Sequence, residues 1–178
     1  TSAQGDLEVR KAIADDLNRR FQTNFRPDNF YMTCGAAASL RITLEAMTVP
    51  GDEYIIFTPY FPEYKVFVEA AGGRFVPAAT NGETFQIDFD RLEAAVNEHT
   101  KGIFVNSPNN PSGVVFTEES ILRLAEFLEN KEKEYGHTIY LIADEPYREL
   151  VYGDVFVPYL TKYYRDTVVC YSYSKSLS

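Results

Sequence analysis

Two spacings of apolar residues alternate along this chain. Where they recur every three or four positions they predict helices; where they run on unbroken they predict buried strands. Helices are expected over residues 6–21, with Leu7, Ile13 and Leu17 among the apolar positions, and over 36–47, with Leu40, Leu44 and Met47 on one side. A third begins near Glu63 and stops at Gly72-Gly73, where a left-handed residue ends it. A fourth runs from Asp88 or Asp90 to about Glu98, with Glu93 at capping-box spacing from Asp90. Thr117 caps a long fifth helix whose core stripe is Ile121, Leu124, Ala125 and Leu128. Between them lie apolar strands expected at 30–33, 54–57, 74–78, 101–105, 138–143 and 166–171.

Helices set between successive apolar strands favour βαβ units. The predicted fold is therefore α/β, a three-layer α/β/α sandwich around a mainly parallel sheet covered on both faces. Right-handed crossovers line up the C-terminal ends of the strands along one edge, and ligands of such folds bind beyond that edge.

Composition narrows the function classes. At 178 residues the chain suffices for one sizeable core or a large piece of a bigger domain. Its net charge of -9 argues against nucleic-acid binding, which relies on Lys and Arg to neutralise phosphates, but leaves room for one small anion held by backbone donors. Cys34 and Cys170 form no framework and read as buried reduced thiols, consistent with a cytoplasmic protein. His99 and His137 lie outside any metal-ligand spacing, so neither a metal site nor a histidine-based triad is expected. No apolar stretch approaches the roughly 20 residues of a membrane span, and no signal peptide opens the chain. Because it begins at Thr1 and enters a helical pattern almost at once, the chain is expected to be a piece of something longer.

Candidate chemistry gathers after four of the expected strands. The first is followed by Cys34-Gly35-Ala36-Ala37-Ala38, a glycine turn opening a helix of tiny side chains. It serves either as a plain helix start or as a cradle whose N–H groups and dipole grip a phosphate. No G-x-G-x-x-G and no Walker lysine accompany it, which leaves nucleotide binding unsupported. After 101–105 comes Asn106-Ser107-Pro108-Asn109-Asn110-Pro111-Ser112-Gly113. Pro and Gly explain a rigid turn there, though not so many amides; Asn110, preceding Pro111, is expected to be extended.

After 138–143 come Asp144-Glu145-Pro146-Tyr147. A carboxylate at a buried strand's end is costly unless a cation or donor answers it, so Asp144 either caps a turn or meets a protonated ring nitrogen. The last strand delivers Ser172, Ser174 and Lys175. An amine so placed either snorkels to water or is partly desolvated, with a lowered pKa that frees it to form an imine with a carbonyl cofactor. Phosphate, phenolic oxygen, pyridinium nitrogen and aldehyde, the groups these residues would meet, are the parts of pyridoxal 5′-phosphate (PLP).

In combination and order, these motifs resemble the large domain of the fold-type I, PLP-dependent class I/II aminotransferases of the aspartate aminotransferase family, over essentially the whole of residues 1–178. The resemblance implies that Lys175 bonds the cofactor's aldehyde carbon and later shuttles protons. It implies that Asp144 keeps the pyridine nitrogen protonated and that Asn110 and Tyr147 hydrogen-bond the phenolic oxygen. The glycine turn, Gly35 with the backbone of Ala36 and Ala37, and the Ser172 hydroxyl match the family's phosphate contacts. Phe61, in Thr58-Pro59-Tyr60-Phe61-Pro62-Glu63-Tyr64, falls where the family stacks a ring on the cofactor; neighbouring Tyr60 is the other aromatic there, and core packing is the alternative for both.

The expected activity is transfer of an α-amino group from an amino acid to a 2-oxo acid, by a homodimeric parent enzyme. Three family features have no counterpart in the sequence: a phosphate-binding arginine beyond the lysine, a small C-terminal domain with a substrate-binding arginine, and a tyrosine from the neighbouring subunit, normally just ahead of a segment like Gln4-Gly5-Asp6-Leu7. One further strand is also expected to be missing, leaving an incomplete sheet prone to self-association and a chain inactive alone. Rival readings are a PLP-dependent β-lyase or cyclopropane-forming (ACC-synthase-like) enzyme of the same fold, and a PLP-sensing regulatory domain of a transcription factor.

Overall fold

The computed structural model describes residues 2–177; Thr1 and Ser178, the ends of the expected domain, lie outside them. It divides into two compact units, Thr1–Cys34 and Gly35–Ser178.

The first unit is built on α1 (Leu7–Phe21), capped by the Asp6 carboxylate, which accepts from the N–H groups of Glu8 (2.9 Å) and Val9 (3.1 Å). Arg10 is buried and donates to the carbonyl of Pro27 (2.8 Å), tying the helix to a short 3-10 turn, Pro27–Asn29. The strand expected at 30–33 does not form. Tyr31 and Met32 are exposed, so the segment has no apolar face to bury, and the Met32 N–H bonds the carbonyl of Gln4 (2.9 Å) instead of a sheet ladder. Cys34 is exposed, against the expectation of a buried thiol; Cys170 is buried as expected.

The second unit contains α2 (Ala36–Met47), β1 (Glu53–Thr58), α3 (Glu63–Ala70), β2 (Arg74–Ala79), α4 (Phe89–Ala95), β3 (Thr100–Asn106), α5 (Glu118–Tyr135), β4 (Tyr140–Asp144) and β5 (Thr167–Cys170). Its five strands form one sheet in the order β2-β1-β3-β4-β5, and every pairing is parallel.

Alternation along the strands sorts the core into two layers. Ile55, Phe57, Ile103, Val105, Leu141 and Ala143 face Leu92 of α4 and Ile121, Leu124 and Leu128 of α5. Tyr54, Ile56, Phe104, Ile142 and Cys170 face Leu40 and Leu44 of α2 and Tyr64 and Val68 of α3. The chain thus crosses one face on its way from β1 out to β2 and the other face on its return to β3 and β4, as a constant crossover hand requires. The reversal between β1 and β3 is a topological switch point, with the loops after both strands opening on the same edge.

Thr117 caps α5 as expected, accepting from Ser120 N–H (3.1 Å). The shorter α4 bears out one of the two expected caps and corrects the expected capping box and helix end. Asp88 rather than Asp90 is its cap, accepting from Arg91 N–H (3.1 Å), and Glu93 instead holds the Lys131 ammonium (2.6 Å), pinning α4 to α5. The helix stops at Ala95 because Asn97 and Thr100 capture nearby backbone donors, His99 N–H on Asn97 Oδ1 (2.8 Å) and Asn97 N–H on Thr100 Oγ1 (3.0 Å). Among the described residues no helix is long and apolar enough to cross a membrane.

Candidate active site

The strand register decides what meets at the C-terminal edge. Asn106 pairs with Asp144, and Asp144 with Cys170, so the last residues of three adjacent parallel strands stand side by side. Counting alternately from Phe104 and Ile142, Asn106 and Asp144 turn to the α2/α3 side, the side Cys170 also faces. An amide, a carboxylate and a thiol therefore form a short polar row at the end of an apolar layer.

Asp144 is only 5% exposed. Its Oδ2 accepts a hydrogen bond from the Tyr64 hydroxyl, while Oδ1 is buried with no hydrogen-bond partner among the described residues. Burial raises its pKa to about 6, against the lowering effect of the Tyr64 bond. Cys170 is pushed up to about 12, first by burial and then by the Asp144 charge, so it stays a thiol. Tyr64 was missed in the sequence as a site residue. A phenol on a helix face otherwise packed with apolar groups needs a buried partner, and that signal could have found it.

The loop after β3 separates into turn chemistry and a free-facing amide. Asn109 is consumed locally: its Oδ1 accepts from Ser112 N–H (3.0 Å) and Ser112 Oγ (2.7 Å), and its Nδ2 donates to the carbonyl of Pro59 (3.3 Å). Asn106 donates to the Asp144 carbonyl (2.8 Å) and accepts from Asn110 N–H (2.7 Å). Asn110 then directs its own Nδ2 at the Tyr147 hydroxyl (3.5 Å). Lys175 completes the sequence, its Nζ 5.8 Å from the centre of the Tyr147 ring. Asp144, Asn106, Asn110, Tyr147 and Lys175 thus form one continuous chain of contacts.

Lys175 is exposed, which corrects the expectation of a partly desolvated amine. The physical reason is its position: β5 ends at Cys170, and Lys175 sits in a turn well beyond it, where the N–H groups of Ser176 and Leu177 bond the Tyr173 carbonyl (3.2 and 2.9 Å).

Helix α2 presents its N-terminus to Ser172. Gly35, its N-cap, has φ +98° and provides no side-chain cap, so the first-turn N–H groups of Ala36 and Ala37 are not capped from there. A Cβ at Gly35 would lie 3.5 Å from Ser172 Oγ, which shows how closely the helix start and that hydroxyl approach. The Ser172 hydroxyl also pairs with that of Ser174 (2.8 Å). The two aromatics before α3 diverge. Tyr60 leans on Phe75 of β2 (5.0 Å between ring centres), whereas Phe61 packs edge-on against Tyr64 (5.6 Å), the residue that holds Asp144.

Asn110, Asp144, Tyr147, Phe61, Ser172 and Lys175 therefore lie on the C-terminal edge or on the loops leaving it, and the start of α2 at Gly35 approaches Ser172. Their chemistry fits PLP: a buried carboxylate oxygen without a partner among the described residues suits a protonated ring nitrogen, a glycine helix start without a side-chain cap suits a phosphate, and an amine suits an aldehyde.

The family model for aminotransferases of class I and II matches residues 1–178. The chain belongs to that family. A putative aminotransferase, YugH of Bacillus subtilis, is 35% identical over 182 residues, covering 100% of this chain and 46% of that protein. A probable aspartate/prephenate aminotransferase of Thermus aquaticus is 37% identical over 156 residues, 86% of this chain and 39% of its own length. Among solved structures, an amino transferase of Eubacterium rectale superposes with a TM-score of 0.97 at 59% identity, covering 99% of this chain and 45% of that one. The aromatic aminotransferase of Pyrococcus horikoshii gives 0.89 at 29% identity, covering 99% and 47%. This class I/II aminotransferase chain therefore spans less than half the length of these relatives, and its sheet has the α/β fold of the PLP-dependent transferases.

Proposed function

We propose that this chain is the PLP-binding part of an aminotransferase that moves an α-amino group from an amino acid to a 2-oxo acid. The observation that carries the reading is Asp144 Oδ1, a carboxylate oxygen buried at the strand edge with no hydrogen-bond partner among the described residues. A buried carboxylate oxygen without a donor is costly, and the donor of a bound ligand would offset that cost.

Each residue then has a task. Asp144, oriented by Tyr64, accepts the ring N–H of the cofactor and holds the proton on that nitrogen. The N–H groups of Ala36 and Ala37 and the Ser172 hydroxyl bind the phosphate. Asn110 and Tyr147 donate to the phenolic oxygen, and Phe61 covers the ring. Lys175 would hold the cofactor's aldehyde carbon and, once free of it, would serve as the base that moves the substrate's α-proton. When bound, the cofactor supplies an electron sink for the α-carbon, which protonation of its ring nitrogen deepens.

The reading is tested on the protein in its full natural length, loaded with PLP and given single amino acids with a 2-oxo acid acceptor. The expected products are the 2-oxo acid of the donor and the amino acid of the acceptor. Release of ammonia and pyruvate, or of a cyclised product, would replace transfer by lyase or synthase chemistry.

A further inference from the structure

Beside Asp144 and Tyr147 stand two charged residues that the reading above does not use. Glu145 is 2% exposed and Arg148 is 6% exposed. They are joined by Arg148 Nε donating to Glu145 Oε2 (2.6 Å) and by a second, very close contact from the same guanidinium. Burial raises the Glu145 pKa, and Arg148 opposes it. A buried pair of this kind stabilises little in net terms, because desolvation of both ions offsets their attraction. Its placement is therefore more informative than its strength.

The guanidinium lies between two rings, with Cζ 4.7 Å from the centre of Tyr159 and 4.8 Å from that of Tyr171. Tyr171 is the first residue after β5, and its hydroxyl bonds Ser176 Oγ (3.1 Å), thereby spanning the turn that carries Lys175. At the other end, Glu145 N–H donates to the Cys170 carbonyl (2.9 Å), and Arg148 N–H returns to the Glu145 carbonyl (3.3 Å), closing the turn that carries Tyr147. One planar cation thus contacts both the turn that presents the phenol and the tyrosine that braces the lysine turn.

We infer that Arg148, clamped by Glu145 between Tyr159 and Tyr171, is a positioning residue that fixes Lys175 relative to Tyr147. The inference rests on the proposed PLP site. Arg148 has no place among the residues assigned above to the cofactor; it acts through Tyr171 and the turn at 145–148. A lysine could keep the charge but not the planar fork that bonds Glu145 while Cζ lies over both rings, so the clamp depends on the guanidinium.

The test uses the PLP-loaded, full-length enzyme. Borohydride capture of the wild type, mapped to Lys175, first establishes the cofactor site; its failure would remove the proposed function and leave the clamp without an object. Given capture, the variants are Arg148→Lys and the double variant Glu145→Leu/Arg148→Met, which removes both buried charges together. Far-ultraviolet dichroism and thermal unfolding report the fold, while dichroism of the cofactor's visible band reports its orientation per bound cofactor. The expected result is a native fold with the visible dichroism reduced about twofold or more and kcat lowered about tenfold, the size of effect small misplacements produce. Arg148→Lys should fall between wild type and the double variant. Unchanged visible dichroism and kcat in a folded double variant would overturn the inference, and so would a double variant that does not fold, which would make the pair a structural element of the chain.

Discussion

Tyr64 and Asp144, 80 positions apart in the chain, share one buried hydrogen bond that leaves the carboxylate half satisfied. The phenol reaches Oδ2 from the first turn of α3, and Oδ1 beside it has no partner among the described residues. That asymmetry, a carboxylate oriented on one side and open on the other, is what a site for a cationic ring nitrogen requires.

The same asymmetry has a cost without ligand. Asp144 ionises near 6 in the folded chain against an ordinary 3.8, so between those values the native state holds more protons than the unfolded one. Stability is therefore greatest below the lower value and falls as pH rises through about 6, by ~3 kcal/mol in all. Asp144→Asn in the absence of PLP should flatten this dependence and raise stability at pH values near 8. Urea unfolding at acidic and alkaline pH checks it; a variant that loses equal stability at both would contradict the sign.

Removal of the phenol should do the opposite. Tyr64→Phe takes away the donor that lowers the Asp144 pKa, leaving both buried oxygens unanswered. The expected loss is about 1–3 kcal/mol at neutral pH, with less loss where the acid is protonated. The pH midpoint of the stability curve should also move upward. An unmoved midpoint would show that the bond does not govern the carboxylate.

Gly35 offers a test of the phosphate cradle with an internal control. At φ +98° any side chain is strained, while a Cβ would make only ordinary contact with Ser172 Oγ. Gly35→Ala should cost roughly 1–2 kcal/mol and also weaken PLP binding. Gly136→Ala, at φ +75° with open space around it, should cost a similar amount and leave PLP binding unchanged. Equal affinities in the two variants, read by titration of the cofactor's absorbance, would dissociate the α2 start from the phosphate.

Much of this was legible in the sequence because its cause is local or periodic. The alternation through Ile55, Ile103 and Leu141 on one side and Ile56, Phe104 and Ile142 on the other reports a sheet buried on both faces, which is what the observed core shows. Punctuation by Gly72-Gly73 and the Thr117 cap likewise marks real helix ends. The failures have a common origin in partners that are distant in the chain. The segment 30–33 has strand-like composition, yet a strand exists only where another strand accepts it, and Tyr31 and Met32 face solvent. Glu93 has capping-box spacing but finds Lys131 a helix away. The exposure of Lys175 follows from where β5 ends, which its apolar run alone overestimates.

At the site, sequence order singled out Asp144, Asn110, Tyr147, Ser172 and Lys175, because each follows a strand or opens a loop at the binding edge. The supporting residues Tyr64, Glu145 and Arg148 were not singled out, since their roles arise only from packing across the sheet and between turns. Strand register supplies what the sequence lacks: it sets Asn106, Asp144 and Cys170 abreast.

The most direct measurement of the central claim is covalent mapping. The protein is incubated with PLP, reduced with borohydride and digested, and the modified peptide is sequenced. Cofactor carried on Lys175, and lost in Lys175→Ala while Asp144→Asn lowers its yield, is the predicted result. Cofactor distributed over the other lysines with Lys175 unmodified would contradict the account.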